Sequence, residues 1–388
     1  MITVAEALDQ LFALAQPTGV EEVPLLQAYG RVLARDVAST RDQPPFAASA
    51  MDGYAVAQAA PGDVLCVIGE SAAGHRFDGA VGPGEAVRIF TGAPVPPGAT
   101  RVVIQEDVTR TADQITIGER LDESDNIRPA GNDFQAGSQI SAPRVLTPND
   151  IALLASMNIA KVPVARRPVV ALISTGDELV MPGEAPGPDQ IIASNTMGLH
   201  ALLRELGAEP RLLPIARDNA ASLKTVLALI DDADLVITIG GASVGDHDLV
   251  APVAEELGMQ RAFYKVAMRP GKPLMSGRLD RAMMIGLPGN PVSAMVCGHV
   301  FVAPVVRAML GLGAAPAGRK TAPLAAPLPP NGPREHYMRA VLTSDGLRAF
   351  DRQDSSLLSV LGAANALVVR PVRDPARNAG DTVQFIPL

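Results

Sequence analysis

The run LVITIGGASVG, at Leu235–Gly245, joins an apolar strand pattern directly to a glycine-rich loop. Residues 235–239 are apolar or β-branched, which predicts a buried strand. The loop has small side chains, so its backbone N–H groups can approach an anion closely, and we expect it to open a helix whose N-terminus favours negative charge. The run therefore predicts a site for an anionic, phosphate-bearing small molecule, with binding residues Gly240, Gly241, Ser243 and Gly245.

Strands and helices alternate on both sides of this run. The predicted elements are, in order, a strand at 169–174, a helix at 194–206, a strand at 211–215, a helix at 221–230, the strand at 235–239, strands at 263–268 and 282–287, and a long helix after Asn290 and Pro291. Gly207 stands where a helix C-terminal glycine belongs, and Asn219 where an N-cap belongs. This alternation predicts a central, doubly wound, mostly parallel α/β domain.

The remaining sequence predicts three further domains. Thr3 and Glu6 form a capping-box pattern at the start of an amphipathic helix, and a second helix is expected near Val23. Short β-branched runs fill residues 41–144, a helix is expected at 146–159, and residues 311–332 have the composition of a linker. We predict a discontinuous helical/linker domain (1–25 and 135–167), an inserted β-rich domain (26–134), the α/β domain (168–312) and a small, β-barrel-like C-terminal β-domain (318–388).

Composition restricts the class of protein. The 388 residues exceed one ordinary domain, and the net charge of -8 argues against a nucleic-acid-binding surface. Cys66 and Cys297 show no metal-site or disulfide spacing, so a reducing cytoplasm is expected. The N-terminus has no basic region of a signal peptide, and the apolar run 291–306 is too short and too interrupted to span a membrane. We expect a cytoplasmic protein with small-molecule substrates and no nucleic-acid or membrane partner.

Carboxylates follow three of the predicted strands. Asp177 and Glu178 follow the first, Asp218 the second, and Asp246 and Asp248 the third. Each alone could cap a turn, but the carboxyl ends of parallel strands face one crevice, where ligands bind. Acids beside an anion-binding loop would repel the ligand unless a hard cation lies between them. The pattern therefore predicts bound Mg²⁺.

Positive charge is concentrated at Lys265, Arg269 and Lys272, within a segment rich in Pro and Gly. Three such groups together suggest an oxyanion site. The turn at Leu287–Pro291 contains two prolines that could hold backbone groups against a flat ligand, although a simple strand-to-helix corner has the same sequence.

The glycine loop also spells G-x-S-x-G, the nucleophile elbow of serine hydrolases, with Ser243 as the nucleophile. A hydrolase would need a histidine farther along the chain. His299 lies in an apolar helix and His336 in another predicted domain, so this alternative is disfavoured but stays open.

Five motifs, in order along nearly the whole chain, resemble the molybdopterin molybdenumtransferase family, which includes the carboxy-terminal domain of gephyrin. The motifs are PF with SAMDGYA (45–46 and 49–55), IFTGAP (89–94), STGDEL (174–179), GGASVG (240–245) and LPGNP (287–291). The resemblance implies insertion of molybdate into the dithiolene of adenylylated molybdopterin, with Mg²⁺ present, AMP released and molybdenum cofactor formed.

The resemblance also implies roles for individual residues. Matching active-site acids, which would hold the metal, are Glu178, Asp218 and Asp248. Matching positions of the substrate and oxyanion site are Lys265, Arg269, Pro288, Pro291, Arg339 and Ser355, with Asp177 as a neighbour of the acids. Lys272, from the basic segment, and Gly289, from the LPGNP turn, are added as candidate binding residues. Asp52 and Thr91 match residues that complete the other subunit's site in the family's homodimer. A molybdopterin adenylyltransferase and recipient molybdoenzymes are the implied protein partners.

One departure from the family pattern and two alternative functions remain. Arg269 stands where Lys is expected in many relatives, so the donor geometry differs and tungstate use stays open. A molybdopterin-binding, adenylyltransferase-like protein would share the central α/β domain, but the additional N- and C-terminal domains argue against it. A gephyrin-like scaffold would need a partner groove, and the sequence identifies none.

Overall fold

The computed structural model describes residues 1–241 and 249–388, and it forms two compact units. The first unit comprises residues 1–21 and 165–388, and the second comprises residues 22–164. The predicted division into four domains stays a prediction. Four residues singled out above lie outside the described residues: Ser243, Gly245, Asp246 and Asp248.

The chain opens with helix α1 (Val4–Leu14), which belongs to the first unit. The Thr3 hydroxyl accepts a hydrogen bond from the Glu6 N–H, and the Glu6 carboxylate accepts one from the Thr3 N–H, so the predicted capping box is confirmed. One apolar face of α1 is buried, through Val4, Ala7, Leu8 and Leu11. The helix is therefore held in place by an N-terminal cap and an apolar face.

The second unit is rich in short strands. Its elements are β1 (Val20–Pro24), β2 (Val32–Leu33), β3 (Val37–Ala38), β4 (Ala48–Ser49), β5 (Gly53–Val56), β6 (Val64–Ser71), β7 (Glu85–Ile89), β8 (Arg101–Ile104), β9 (Val108–Thr111), β10 (Gln114–Ile117), β11 (Ile127–Arg128), β12 (Gln139–Ile140), β13 (Arg144–Val145), α2 (Pro148–Ser156) and β14 (Lys161–Ala165), with single 3-10 turns at Leu25–Gln27 and Gln105–Asp107. The helix predicted near Val23 is wrong. Val20 and Val23 are β-branched, and Pro24 ends the run, so the segment pairs as a strand.

Two larger sheets organise this unit, alongside the strand pairs β11-β4 and β12-β3. Strands β8-β5-β7-β6-β10-β9 form a six-stranded sheet, and β1-β14-β2-β13 form a smaller one. Leu33, Leu146 and Leu154 belong to the core that includes residues of the smaller sheet and α2, and Ile115 belongs to a separate core beneath the larger sheet. The predicted β-rich texture and the helix within 146–159 are confirmed.

The α/β part of the first unit contains β15 (Val169–Ser174), β16 (Leu179–Val180), β17 (Ile191–Ile192), α3 (Ser194–Glu205), β18 (Glu209–Leu212), α4 (Ala220–Leu227), β19 (Leu235–Ile239), α5 (Val250–Glu256), β20 (Gln260–Tyr264), β21 (Met268–Arg269), β22 (Met275–Leu279) and β23 (Ala282–Leu287). The six-stranded sheet has the order β18-β15-β19-β23-β22-β20. Strands β18, β15, β19 and β23 pair in parallel, whereas β22 pairs antiparallel with both β23 and β20. The predicted mostly parallel, doubly wound sheet is confirmed.

Local signals within this sheet behave as expected, with one exception. Gly207 follows α3 with φ 86°, and the Asn219 side chain accepts from the Ser222 N–H at the start of α4. The strand expected at 263–268 lies earlier, at Gln260–Tyr264. Lys265, with φ 72°, leaves extended geometry and ends it.

After β23 the chain enters a helical segment that spans Pro291–Met309, composed of α6 (Pro291–Cys297), a π-helical turn (Gly298–Val302) and α7 (Ala303–Met309). Pro304 has no N–H to donate and its ring crowds the preceding turn, so the wider π turn just before it accommodates the ring. By length and composition alone the segment could cross a membrane, but 72% of its most apolar window is buried inside the protein. It is a core helix, as the sequence predicted.

The chain ends in a closed β-sheet made of β24 (Lys320–Pro323), β25 (Glu335–Thr343), β26 (Gly346–Ala349), β27 (Ala366–Arg370) and β28 (Thr382–Pro387), with a short helix α8 (Leu358–Gly362). The pairing runs β26-β25-β27-β28-β24, and a bridge between Leu324 and Leu347 closes it into a barrel-like form, with β21 added at the edge of β25. Part of the predicted linker is thus a strand, because Lys320–Pro323 pairs with β28.

Candidate active site

A cleft of about 590 Å³ lies at the carboxyl ends of β15 and β19. The chain runs from β15 to β18 on one side and later to β19 on the other, so these strands flank a topological switch point of the sheet. The lining combines the ends of three strands with the starts of two helices. It contains Ser174, Thr175, Gly176, Glu178, Leu179, Ile191, Ile192, Ala193, Ser194, Asn195, Asp218, Ile239, Gly240, Gly241, Pro273, Pro288, Gly289, Asn290, Pro291 and Ser356.

The cleft brings together seven of the predicted site residues, which are Glu178, Asp218, Gly240, Gly241, Pro288, Gly289 and Pro291. Asp177 lies beside the cleft without lining it. The other predicted positions of the first unit, Lys265, Arg269, Lys272, Arg339 and Ser355, are outside the lining, although Ser355 precedes a lining residue. Asp52 and Thr91 belong to the second unit.

Glu178 is held close to its own turn. Its carboxylate lies over Gly176, and a Cβ at position 176 would stand 2.4 Å from Oε2. Gly176 also has φ 150°, at the edge of the region that favours glycine. The exposed Glu178 carboxylate is therefore set into the cleft by a glycine that leaves room for it.

The loops carrying the two cleft acids are hydrogen-bonded to each other. Asp177 Oδ1 accepts from the Asp218 N–H at 3.2 Å. Arg217 Nη1 donates to the carbonyl of Asp177 at 3.1 Å and to that of Leu179 at 3.4 Å. Sequence analysis missed Arg217, because a single exposed arginine beside a predicted acid gives no signal of its own.

The glycine loop begins under tight packing. Gly240 has φ 93°, and a Cβ there would lie 2.8 Å from the Thr175 carbonyl oxygen. The Thr175 hydroxyl is buried and has no hydrogen-bond partner among the described residues. Helix α5 begins at Val250, so the described residues place Gly240 and Gly241 at the end of β19 rather than at a helix start.

The turn after β23 closes the other wall of the cleft. Asn195 Nδ2, at the start of α3, donates to the Gly289 carbonyl at 2.7 Å. Pro291 occupies the first turn of α6, where its missing N–H costs no helical hydrogen bond. Asn195 was also missed, because 94 residues separate it from its partner.

The predicted basic positions lie around a compact turn between β20 and β22. The Lys265 N–H donates to the Leu274 carbonyl, and the Val266 N–H to the Lys272 carbonyl. The Lys265 ammonium lies 4.7 Å from the centre of the Tyr264 ring, while Arg269 and Lys272 are exposed. The turn thus fixes the backbone of two of the three cations.

Arg339 is fully buried on β25, and its hydrogen bonds are incomplete. Its Nη2 donates to the carbonyls of Arg352 at 3.4 Å and Asp354 at 3.0 Å, but Nε and Nη1 have no partner among the described residues. Burial lowers the pKa of Arg339, nearby Asp354 opposes this shift, and Arg269 adds to it. A buried guanidinium with unpaired donors is a ready site for an anion.

His336 lies between two arginines, paired across the sheet with Arg269 on β21 and with Arg370 on β27. Burial lowers the pKa of His336 to about 4, and the charges of Arg269, Arg339, Arg370 and Arg334 reinforce the shift. Its Nε2 is buried without a partner among the described residues. The imidazole is therefore neutral near pH 7.

Asp52 and Thr91 form a small hydrogen-bonded unit. The Thr91 N–H and hydroxyl each donate to Asp52 Oδ1 at 2.7 Å. Both bonds lower the pKa of Asp52, and the bond from the Thr91 backbone N–H contributes most. The motif pair is thus coupled structurally, which the sequence alone did not show.

Three family models match successive parts of the chain: the MoeA N-terminal region (domain I and II) at residues 2–158, a probable molybdopterin binding domain at 171–308 and the MoeA C-terminal region (domain IV) at 321–388. The molybdopterin molybdenumtransferase of Nostoc sp. is 38% identical over 387 residues, which cover 95% of this chain and 88% of the relative. This chain belongs to the molybdopterin molybdenumtransferase family. The family predicted from the motifs is therefore confirmed.

Other members of the family agree. The molybdopterin molybdenumtransferase of Haemophilus influenzae is 40% identical over 317 residues, covering 80% of this chain and 78% of the relative. The crystal structure of a molybdopterin biosynthesis moeA protein from Pyrococcus horikoshii superposes with a TM-score of 0.85 at 31% identity, covering 100% of this chain and 99% of that one. Matches to both terminal regions disfavour an adenylyltransferase-like protein that has only the central domain, and family membership likewise disfavours the serine hydrolase.

Proposed function

We propose that this chain inserts molybdenum from molybdate into the dithiolene of adenylylated molybdopterin, releasing AMP and forming molybdenum cofactor. One observation carries the assignment of the site: Glu178, Asp218 and the Gly240–Gly241 turn line one cleft at the switch point of the α/β sheet. A nucleotide-bearing pterin is a flat anion, and this cleft offers backbone groups beside acids suited to a bridging cation.

The donor set fits Mg²⁺. Two carboxylates, Glu178 and Asp218, line the cleft, and no cluster of three acid, His or Cys side chains suited to a metal occurs among residues 1–241 and 249–388. Mg²⁺ commonly takes one or two protein carboxylates and completes its shell with waters and substrate phosphate oxygens, so the two acids suffice. Asp248 would be a third ligand. When bound, the ion would neutralise charge on the phosphates as AMP leaves.

The rest of the cleft would hold the substrate. The N–H groups at the glycine loop would bind phosphate oxygens, and the rigid turn Pro288–Pro291, held by Asn195, would pack against the pterin. Such contacts orient the dithiolene and the leaving nucleotide without a covalent nucleophile, so their effect is positioning and electrostatic stabilisation.

The oxyanion would be held by basic groups near β21 and β25. Among residues 1–241 and 249–388, the buried Nε and Nη1 of Arg339 have no partner. Arg269 lies close enough to affect the pKa of Arg339, and an anion between the two guanidinium groups would relieve their repulsion. Lys265, Lys272 and Ser355 would add charge and a hydroxyl. Arg269 has a planar guanidinium where many relatives are expected to have a Lys ammonium, so the geometry of its donors toward an oxyanion differs. The preference between molybdate and tungstate should therefore be measured.

We also propose a cytoplasmic homodimer in which Asp52 and Thr91 of one subunit complete the site of the other. The support is the hydrogen-bonded pair Asp52–Thr91, which lies at the surface. The two residues come from two of the motifs that resemble the family. A molybdopterin adenylyltransferase would supply the substrate, and molybdoenzymes would receive the product.

The test is AMP release from adenylylated molybdopterin by the purified protein. Release should require both molybdate and a divalent cation. In the Glu178→Ala plus Asp218→Ala protein it should fall about a hundredfold or more, because a bound ion stabilises developing charge by several kcal/mol. The matched control is Glu119→Ala plus Glu123→Ala, which removes two exposed acids of the second unit. Wild-type release by the cleft variant would refute the assigned site.

A further inference from the structure

Arg217 connects the two loops that carry Glu178 and Asp218. Its guanidinium Nη1 donates to the carbonyls of Asp177 and Leu179, the two residues on either side of Glu178, at 3.1 and 3.4 Å. Because these bonds hold the backbone on both sides of position 178, they restrict where the Glu178 carboxylate can point.

Further hydrogen bonds join the two loops. The Asp177 carboxylate accepts from the Asp218 N–H at 3.2 Å, so the Asp218 loop donates through its backbone as well as through Arg217. The Arg217 N–H donates to the Ser222 hydroxyl at 2.9 Å, which anchors this loop to the first turn of α4. The Gly176 N–H also donates to the Ala216 carbonyl at 3.1 Å. These bonds hold the backbone near both acids against the first turn of α4.

We propose that Arg217 is a positioning residue for the cation-binding acids, and that Asp177 acts with it by orienting the Asp218 loop instead of contacting substrate. This inference rests on the proposed role of Glu178 and Asp218. Two carboxylates that converge on one ion repel each other when the ion is absent, so their backbones must be held from outside. Ligands fixed by supporting hydrogen bonds bind an ion with less ordering cost than free ones.

Substitution of Arg217 separates positioning from simple charge. The Arg217→Met protein keeps the length of the side chain but loses its donors and its positive charge. Loss of charge alone would tighten cation binding at the neighbouring acids, whereas loss of positioning would weaken it. Because the loss of charge and the loss of positioning change cation affinity in opposite directions, the direction of the change in Arg217→Met decides between them. The Arg217→Lys protein keeps a charged donor of similar length.

The probe is Mn²⁺ binding to the full chain without substrate, measured by electron paramagnetic resonance. We expect Arg217→Met to weaken Mn²⁺ binding about tenfold, as for the loss of hydrogen bonds to a loop, with Arg217→Lys in between. Asp177→Asn also removes a negative charge beside the site, so its readout is hydrogen exchange at the Asp218 amide, which should quicken because a neutral oxygen accepts that N–H less strongly than a carboxylate. Hydrogen exchange at amides 176–179 should quicken in Arg217→Met. Arg211→Met, on neighbouring β18, is the matched control and should match the wild type.

The outcomes are distinct. Unchanged or tighter Mn²⁺ binding by Arg217→Met, while Glu178→Gln binds weakly, would overturn the positioning role and leave the proposed function standing. Unchanged Mn²⁺ binding by Glu178→Gln would instead refute the cation role of the acids, and the inference with it. If Arg217→Met does not fold, Arg217→Lys decides the question by the same measurements.

Discussion

The Glu178 carboxylate occupies the space that a side chain at Gly176 would need, because a Cβ at 176 would stand 2.4 Å from Oε2 and 2.7 Å from Oε1. A residue with a side chain there must displace the acid or distort a turn with φ 150°. The position of a proposed metal ligand is thus coupled to the absence of a side chain two residues earlier.

Gly176→Ala should therefore impair cation binding without unfolding the protein. We expect Mn²⁺ to bind about tenfold more weakly, because Glu178 must move, while the free energy of unfolding falls by only about 1–2 kcal/mol. Mn²⁺ titration and urea denaturation measure the two effects. Gly187→Ala, in the exposed loop before β17, is the control. Wild-type affinity in Gly176→Ala would show that Glu178 does not bind the ion from this position.

Arg339→Met should separate function from stability. The guanidinium is buried, and its Nε and Nη1 find no partner in the part of the chain that the structure describes. An apolar side chain of similar length should therefore leave the free energy of unfolding within about 1 kcal/mol of the wild type, or raise it. Molybdate should bind at least about tenfold more weakly, because a charge-assisted site is lost. Equilibrium dialysis with metal analysis measures molybdate, and Arg348→Met on β26 is the control. Unchanged molybdate binding would exclude Arg339 from the oxyanion site.

His336 should make stability depend on pH. Its pKa is about 4 in the folded protein and near the ordinary 6.5 when unfolded, so the unfolded chain binds more protons between these values. The free energy of unfolding should consequently decrease as the pH falls from 6.5 to 4, by about 3 kcal/mol from this group. Urea denaturation at pH 7 and pH 4.5 should show a smaller decrease in His336→Gln than in the wild type. An equal decrease would contradict the buried, neutral imidazole, and His75→Gln, at an exposed position, is the control.

Asp374→Ala should destabilise the C-terminal sheet. Asp374 is buried between Arg370, which is itself buried, and Arg377. Removing the carboxylate leaves the Arg370 charge uncompensated, which should cost about 3–5 kcal/mol in urea denaturation. Asp232→Ala breaks the exposed pair with Arg211 and should cost about 1 kcal/mol or less. Similar small losses in both proteins would mean that Arg370 finds other partners.

The shared site between subunits is tested by mixing. Asp52→Ala and Glu178→Ala homodimers should each be nearly inactive in AMP release, and a mixture that exchanges subunits should recover up to about a quarter of wild-type activity if each mixed dimer has one intact site. Thr91→Val, which removes one of the two hydrogen bonds to Asp52, should behave like Asp52→Ala. No recovery on mixing, with exchange verified by mass spectrometry, would place Asp52 in the site of its own subunit or outside it.

Local signals in the sequence predicted the local features correctly. The capping box at Thr3, the N-cap at Asn219 and the apolar strand at Leu235–Ile239 depend on residues within a few positions of each other. The failures involve longer-range pairing. Val23 joins a strand, not a helix, and Lys320–Pro323 is a strand only because β28 offers it a partner. Intrinsic propensity decides such segments only weakly.

By itself, the sequence determined the order of elements, the parallel sheet and the strand ends at which Glu178, Asp218 and Gly240 would meet, since chain order and hydrophobic period dictate which ends of parallel strands face one crevice. It also determined the family, through motifs spread along the chain. Only the tertiary structure decided that Arg217 and Asp177 tie the acid loops, that Asn195 holds Gly289, and that His336 lies between Arg269 and Arg370. These contacts join residues brought together by folding, and their strength depends on burial and geometry that no local pattern encodes.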